Sequence, residues 1–160
     1  MDKGQFISIV EREQGALRRF LLALCCGNRD DADDIAQDTF LRAYLSLKDY
    51  DEKGRAALWL RTIAYNLFLN HRKSQSRHHL CDIENAVNES SEIMADDAYK
   101  YQVLYAALNL LSEVERTALV LYYIEGYKIN EIAQITASSE SAVKKRLERG
   151  REELKNKIRL

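Results

Sequence analysis

Proline is absent from the 160-residue chain, and glycine occurs only six times. Without these two breakers, and with few β-branched runs outside apolar helical faces, the chain is expected to be helical throughout. Cysteine is scarce as well. Cys25, Cys26 and Cys81 are odd in number and two are adjacent, which argues against a disulfide framework and for a reducing compartment. Long apolar runs are missing. The most apolar stretch, Phe20 to Cys26, is far too short to cross a bilayer and lacks a small-residue cleavage pattern, so a cytoplasmic protein without membrane insertion is expected. Nor is there a bulk excess of either charge: 24 Lys and Arg face 25 Asp and Glu, for a net charge of −1. That sum looks wrong for a nucleic-acid binder, and the distribution matters more.

The charge is segregated. Asp30, Asp31, Asp33, Asp34 and Asp38 make an acidic stretch, Arg61 to His79 is basic, Asp82 to Asp97 is acidic again, and Lys144 to Arg159 is basic. The stretch after Cys81 combines Asp82, Glu84, Glu89, Glu92, Asp96 and Asp97 with Asn88, Ser90 and Ser91, and its apolar residues follow no period. Such a composition reads as a tether. The expected fold is all-α: two small helical domains, 1–80 and 101–160, joined by a flexible acidic linker at 81–100.

The C-terminal half carries the sharper pattern. Ser112 followed by Glu115 is a capping box that opens a helix through Tyr122 and Tyr123, and Gly126 is placed to end it. A short helix, Ile129 to Ile135, follows with Ile132, Ala133 and Ile135 apolar. A turn at Thr136 and Ala137 leads to Ser138 as N-cap and a longer helix from Ser139 to about Ile158. This is a helix-turn-helix arrangement. At 100° per residue Val143, Leu147, Gly150, Leu154 and Ile158 share the core stripe, and Lys144, Lys145, Glu148, Arg149 and Glu152 stand opposite. A basic stripe on one helix is most often a solvated face. The short helix and turn before it reverse that preference. Lys144, Lys145, Arg146, Glu148 and Arg149 are therefore the candidate duplex-binding residues.

Four segments of this half resemble the extracytoplasmic-function (ECF) sigma factors: Leu111 to Arg116, Leu119 to Gly126, Ile129 to Ile135 and Ser141 to Arg151. They are similar to region 4, which in that family binds the −35 promoter element. Ser112 stands where the family often has proline, Ala137 where it has glycine, and Thr136, Ala142 and Lys145 at its usual Leu, Thr and Ser positions. Response regulators share such helix-turn-helix units. In the N-terminal half, Asp33 to Tyr44 resembles the region 2.2 signature, and Trp59 to Asn66 followed by His71 to Lys73 resembles regions 2.3 and 2.4, in the family's order and spacing. The resemblance implies core RNA polymerase, promoter DNA and an anti-sigma factor as partners.

The same residues can be read physically. On a helix from Asp31 to Leu47, Ile35, Ala36, Phe40, Ala43, Tyr44 and Leu47 share the buried side, and Asp34 and Asp38 lie with Leu41 and Leu45 on the other. Leucines beside carboxylates on a wet surface suggest a protein-binding patch, although single exposed leucines are common. The resemblance assigns this helix to docking on core polymerase with Asp34, Gln37 and Asp38 as contacts, and the physical reading adds Leu41. On the next helix Leu60, Ile63, Ala64 and Leu67 make the core stripe, while Arg61, Tyr65 and Arg72 align outside with Asn66 at the edge. Cations, an amide and aromatics suit single-stranded DNA. By resemblance Tyr50 and the Asp51 to Ala57 loop join them at the unpaired −10 strand, giving Tyr50, Arg61, Tyr65, Asn66, Arg72 and Lys73 as candidates.

Other features carry no chemistry. His78, His79 and Cys81 sit within four residues with no fourth ligand nearby, so no metal is expected. The aspartates at 30, 31, 33 and 34 lack the glycine and spaced glutamate of a calcium loop. No nucleophile motif or glycine-rich phosphate loop is present, so no cofactor and no enzyme activity are expected. The competing reading is a two-domain helix-turn-helix regulator independent of polymerase. One regulatory expectation follows from charge: the acidic linker or acidic helix covers the basic surfaces in the free protein.

Overall fold

The computed structural model describes residues 2–50, 55–77 and 95–158, and among them there is no strand. They form seven α-helices. None is long and apolar enough to cross a membrane.

Helix α1 spans Lys3–Leu24, opened by a reciprocal cap in which Asp2 Oδ1 accepts from Gln5 N at 2.8 Å and Gln5 Oε1 accepts from Asp2 N at 3.1 Å. Phe6, Ile9, Leu17, Phe20, Leu21 and Leu24 recur at helical spacing and are buried. Cys26 and Gly27 end the helix at φ 54° and 90°, and Asn28 caps α2 (Arg29–Leu45) by accepting from Asp31 N at 3.1 Å. The buried side of α2 is made of small residues: Ala32, Ala36, Thr39 and Ala43 with Ile35. Small side chains let α2 sit close against α1 and α3 (Ala56–Arg77), which cover it from both sides. Phe40 and Leu47 are only half-buried, and Tyr44, expected inside, is exposed with its ring 5.5 Å from that of Phe6.

Helix α4 spans Ala95–Asn109 and so begins inside the stretch expected to be linker; the rest of that stretch, to residue 94, lies outside the described residues. Ser112 accepts from Glu115 N at 3.3 Å and opens α5 (Glu113–Leu119), which runs on into a π turn at Val120–Ile124. Gly126 follows at φ 78°. Helix α6 is Ile129–Ile135, with Ile132, Ala133 and Ile135 buried. Helix α7 is Glu140–Lys157.

The cap of α7 is Ser139, which accepts from Ala142 N at 3.1 Å, and not Ser138. Ser138 turns back instead, sharing a 2.7 Å hydrogen bond with the Thr136 hydroxyl. Val143, Leu147 and Gly150 are buried as the stripe requires, while Ile158 lies past the helix end and is exposed. At Gly150 α5 and α7 approach closely: a Cβ there would stand 2.9 Å from Leu119 Cδ1.

The two halves lie against each other, and their buried residues form one continuous cluster. α1 meets α4 and α5, and α3 meets α6. Gly27 shows how tight this contact is, since a Cβ there would reach 2.7 Å from the Tyr105 ring.

Candidate polymerase and nucleic-acid interfaces

Packing α2 through its alanines turns the opposite side outward. Asp34, Gln37 and Asp38 are exposed there, as are Leu41 and Leu45, at 59% and 73%. Asp33, one turn earlier, is held by Arg18 at 2.7 Å. Among the described residues this face combines exposed apolar area with carboxylates, as the pattern predicted.

The α3 face differs from expectation. Tyr50 packs its ring 4.6 Å from Trp59, Asn66 and Lys73 are exposed, and Arg72 is half-buried over Phe68, its Nη2 donating to Leu24 O at 3.4 Å. Arg61 and Tyr65, expected on the outer side, are each only 3% exposed. The reason is tertiary. α6 and the loop before it lie across α3, so Arg61 Nη2 donates to Glu125 Oε1 at 3.1 Å and its guanidinium sits 5.6 Å from the rings of both Phe20 and Tyr127. Burial pushes the Tyr65 phenol up, with the Arg146 charge working the other way.

On α7, Lys144, Lys145, Glu148 and Arg149 are exposed on one face, one turn beyond the tight turn at Ala137. Arg146 is half-buried and donates to Ser138 Oγ at 3.3 Å. Four charged side chains, three of them cations, follow a capped helix start, where phosphates and base edges can be met together.

A model of the sigma-70 region 2 family matches residues 9–78, and a model of sigma-70 region 4 matches residues 101–154. The ECF RNA polymerase sigma factor EcfG of Rhodopseudomonas palustris is 31% identical, covering 87% of this chain and 77% of its own length. SigM of Bacillus subtilis is 31% identical over 86% of this chain and 85% of its own. The chain belongs to the ECF sigma factors. SigW of Bacillus subtilis, 29% identical, covers 99% of the chain. The helices of this sigma factor superpose on RpoE of Bartonella quintana, solved with the anti-sigma factor NepR, at a TM-score of 0.77 and 24% identity, covering 98% of this chain and 99% of that one. A second likeness is to CnrH, solved with the cytosolic domain of CnrY (TM-score 0.72, 23% identity, 98% and 89% covered). At these identities the likeness is one of fold.

Sequence reading missed the residues that join the halves of this sigma factor. Glu125 and Tyr127 carried no signal as partners of Arg61, being 64 and 66 positions away. Arg116 carried none either, and it is a buried arginine, 3% exposed, whose pKa is lowered by burial. His78, His79 and Cys81 lie outside the described residues, as do 51–54 of the loop expected at the −10 strand.

Proposed function

We propose that this ECF sigma factor binds core RNA polymerase through Asp34, Gln37, Asp38 and Leu41 on α2, and that α7 reads the −35 duplex through Lys144, Lys145, Arg146, Glu148 and Arg149. The unpaired −10 strand is taken by Tyr50, Arg61, Tyr65, Asn66, Arg72 and Lys73. The carrying observation is that one chain exposes an acidic-apolar face on α2 and a cationic face on α7 behind a tight turn. The work divides between residues 1–80 and 101–160, with 81–100 as connection.

The chain supplies no catalysis in this reading: capture of unpaired bases offsets the cost of melting, and polymerase does the chemistry. It acts in the cytoplasm. An anti-sigma factor is its regulator, as NepR and CnrY are the partners solved with its structural neighbours. The region 2 match over residues 9–78 and the relatives covering most of the chain favour this function over a polymerase-independent regulator.

In vitro transcription with purified core polymerase on a genomic library, with start sites mapped, tests the reading. Transcripts that depend on the protein and share two spaced elements upstream are expected. Binding to duplex DNA with no co-elution with core polymerase would overturn it in favour of the regulator.

A further inference from the structure

The turn between α6 and α7 is closed twice, once by backbone and once by side chains. Its backbone is a Schellman turn: Ser138 N donates to Ala133 O at 2.9 Å and Ala137 N to Gln134 O at 3.4 Å, with Ala137 in the left-handed region at φ 49°. The residue that follows the left-handed one frequently lays an apolar side chain on the helix it leaves. Here that residue is the half-buried Ser138, and a chain of polar groups stands in place of the apolar contact.

The direction of this chain follows from its protons. Thr136 has one hydroxyl proton, and the Ile132 carbonyl, 2.7 Å from Thr136 Oγ1, can only accept it. In the 2.7 Å contact between the two hydroxyls the donor is therefore Ser138. Ser138 Oγ keeps its lone pairs for another donor, and Arg146 Nη1 supplies one at 3.3 Å. Ile132 lies in α6 and Arg146 in the body of α7, so hydrogen bonds of a single sense run from the second helix back to the first. The guanidinium is thereby drawn to the N-terminal end of α7, where the helix dipole disfavours a cation, and the Ser138 hydroxyl is the acceptor that keeps it there.

We propose that this relay, from Arg146 through Ser138 and Thr136 to the Ile132 carbonyl, sets the angle at which α7 is presented to the −35 duplex. Arg146 is then a positioning residue that acts through Ser138, and Lys144, Lys145, Glu148 and Arg149, all exposed, make the contacts. Thr136 and Ser138 shape specificity without touching DNA. Base edges are read by hydrogen bonds of narrow geometry while phosphate contacts carry no sequence information, so a change in helix angle costs discrimination before affinity. The relay's role rests on the reading of the duplex by α7.

The test uses holoenzyme assembled from core polymerase and the full chain, titrated at several salt concentrations against a mapped promoter and against fragments with single-base changes in the −35 element. The variants are Ser138→Ala, Ser138→Thr, Thr136→Val, Arg146→Met, the double variant of Ser138→Ala with Arg146→Met, and Arg149→Ala. Thermal melts of each free chain confirm that it is folded at the assay temperature. Ser138→Ala, Thr136→Val and Arg146→Met should each lower the preference for the promoter over its single-base variants about two- to tenfold, the worth of one net hydrogen bond, with the salt slope unchanged. Ser138→Thr, which keeps the hydroxyl, should retain the preference, and the double variant should lose no more than the larger single loss, because both residues act in one chain. Additive losses in the double variant overturn the relay. So does an Arg146→Met variant that alone weakens binding to every sequence and lowers the salt slope by about one, which makes Arg146 a phosphate contact. Full preference in Ser138→Ala beside lost preference in Arg149→Ala overturns the relay and leaves the reading by α7 standing. Full preference in both overturns that reading, and the relay's role with it.

Discussion

Arg116 on α5 reaches Leu24 at the end of α1, its Nη1 donating to the Leu24 carbonyl at 2.9 Å across 92 positions of sequence. Its Nε and Nη2 donate to the carbonyls of Leu108 and Leu111 at 2.9 and 3.0 Å. One guanidinium therefore satisfies carbonyls at the ends of both α1 and α4. A lysine has a single nitrogen on a flexible, shorter stem and cannot reproduce that fork. Arg116→Lys is expected to cost about 1–3 kcal/mol, because the carbonyls of Leu108 and Leu111 lose the guanidinium and that of Leu24 keeps only the longer bond from Arg72 Nη2. The urea midpoint of the full chain measures it, and an unchanged midpoint would show that water takes over these carbonyls.

The turn before α7 holds Ala137 at φ 49°, in the left-handed region where a Cβ is strained. Glycine removes that strain but loosens the unfolded chain, so the two effects partly cancel. Ala137→Gly should still stabilise by about 0.5–1 kcal/mol, a rise of about 1–4 °C in Tm. A fall in Tm would mean that the Ala137 methyl packs usefully against its neighbours.

On the docking face, Asp38→Arg and Leu41→Glu should weaken binding to core polymerase and leave Tm nearly unchanged, since both positions are exposed and surface changes usually stay within about 0.5 kcal/mol. Titration against labelled core polymerase, paired with thermal melts, decides between a contact and a fold effect. Loss of Tm in Leu41→Glu would make Leu41 a packing residue after all.

Burial pushes the Cys25 thiol from 9.0 up to about 12. The folded state keeps this proton where the unfolded chain releases it, so the associated stability is complete below about pH 9 and is lost as pH rises through about 12. The full shift corresponds to an upper bound of about 4 kcal/mol. Cys25→Ala should therefore flatten the fall of the urea midpoint between about pH 8 and about pH 11 relative to wild type. Tyr65, Tyr105 and Tyr127, raised in the same direction by burial, are present in both proteins and cancel in the comparison.

How far the sequence could be read depended on which neighbour covers each face. α7 was legible because Val143, Leu147 and Gly150 recur at helical spacing and all three are buried against the same domain. The outward side of α2 was legible for the same reason. Arg61 and Tyr65 were misplaced because a helical wheel identifies the side facing the nearest core and says nothing of a second layer. That layer comes from 120–135, and no local pattern around Arg61 announces Glu125. Ser138 and Ser139 are equally good caps by residue type, and the choice between them was made by the Thr136 hydroxyl that engages Ser138.

The cations of α7 give a prediction that separates two kinds of contact. Lys144 and Arg149 are both exposed, and neither appears in a hydrogen bond or ion pair among the described residues that would have to be broken on binding. Lys144→Ala and Arg149→Ala are each expected to weaken binding of the transcription complex to a mapped promoter. If Arg149 grips a guanine edge with two hydrogen bonds, its loss costs roughly 1–3 kcal/mol and relaxes preference at one base pair. If it neutralises a phosphate, affinity falls for every sequence and the slope of log affinity against log salt drops by about one. Titrations at several salt concentrations on the promoter and on single-base variants distinguish the two outcomes. Unchanged binding in both mutants, with specific transcription still intact, would take α7 out of the interface and require another element to read the duplex.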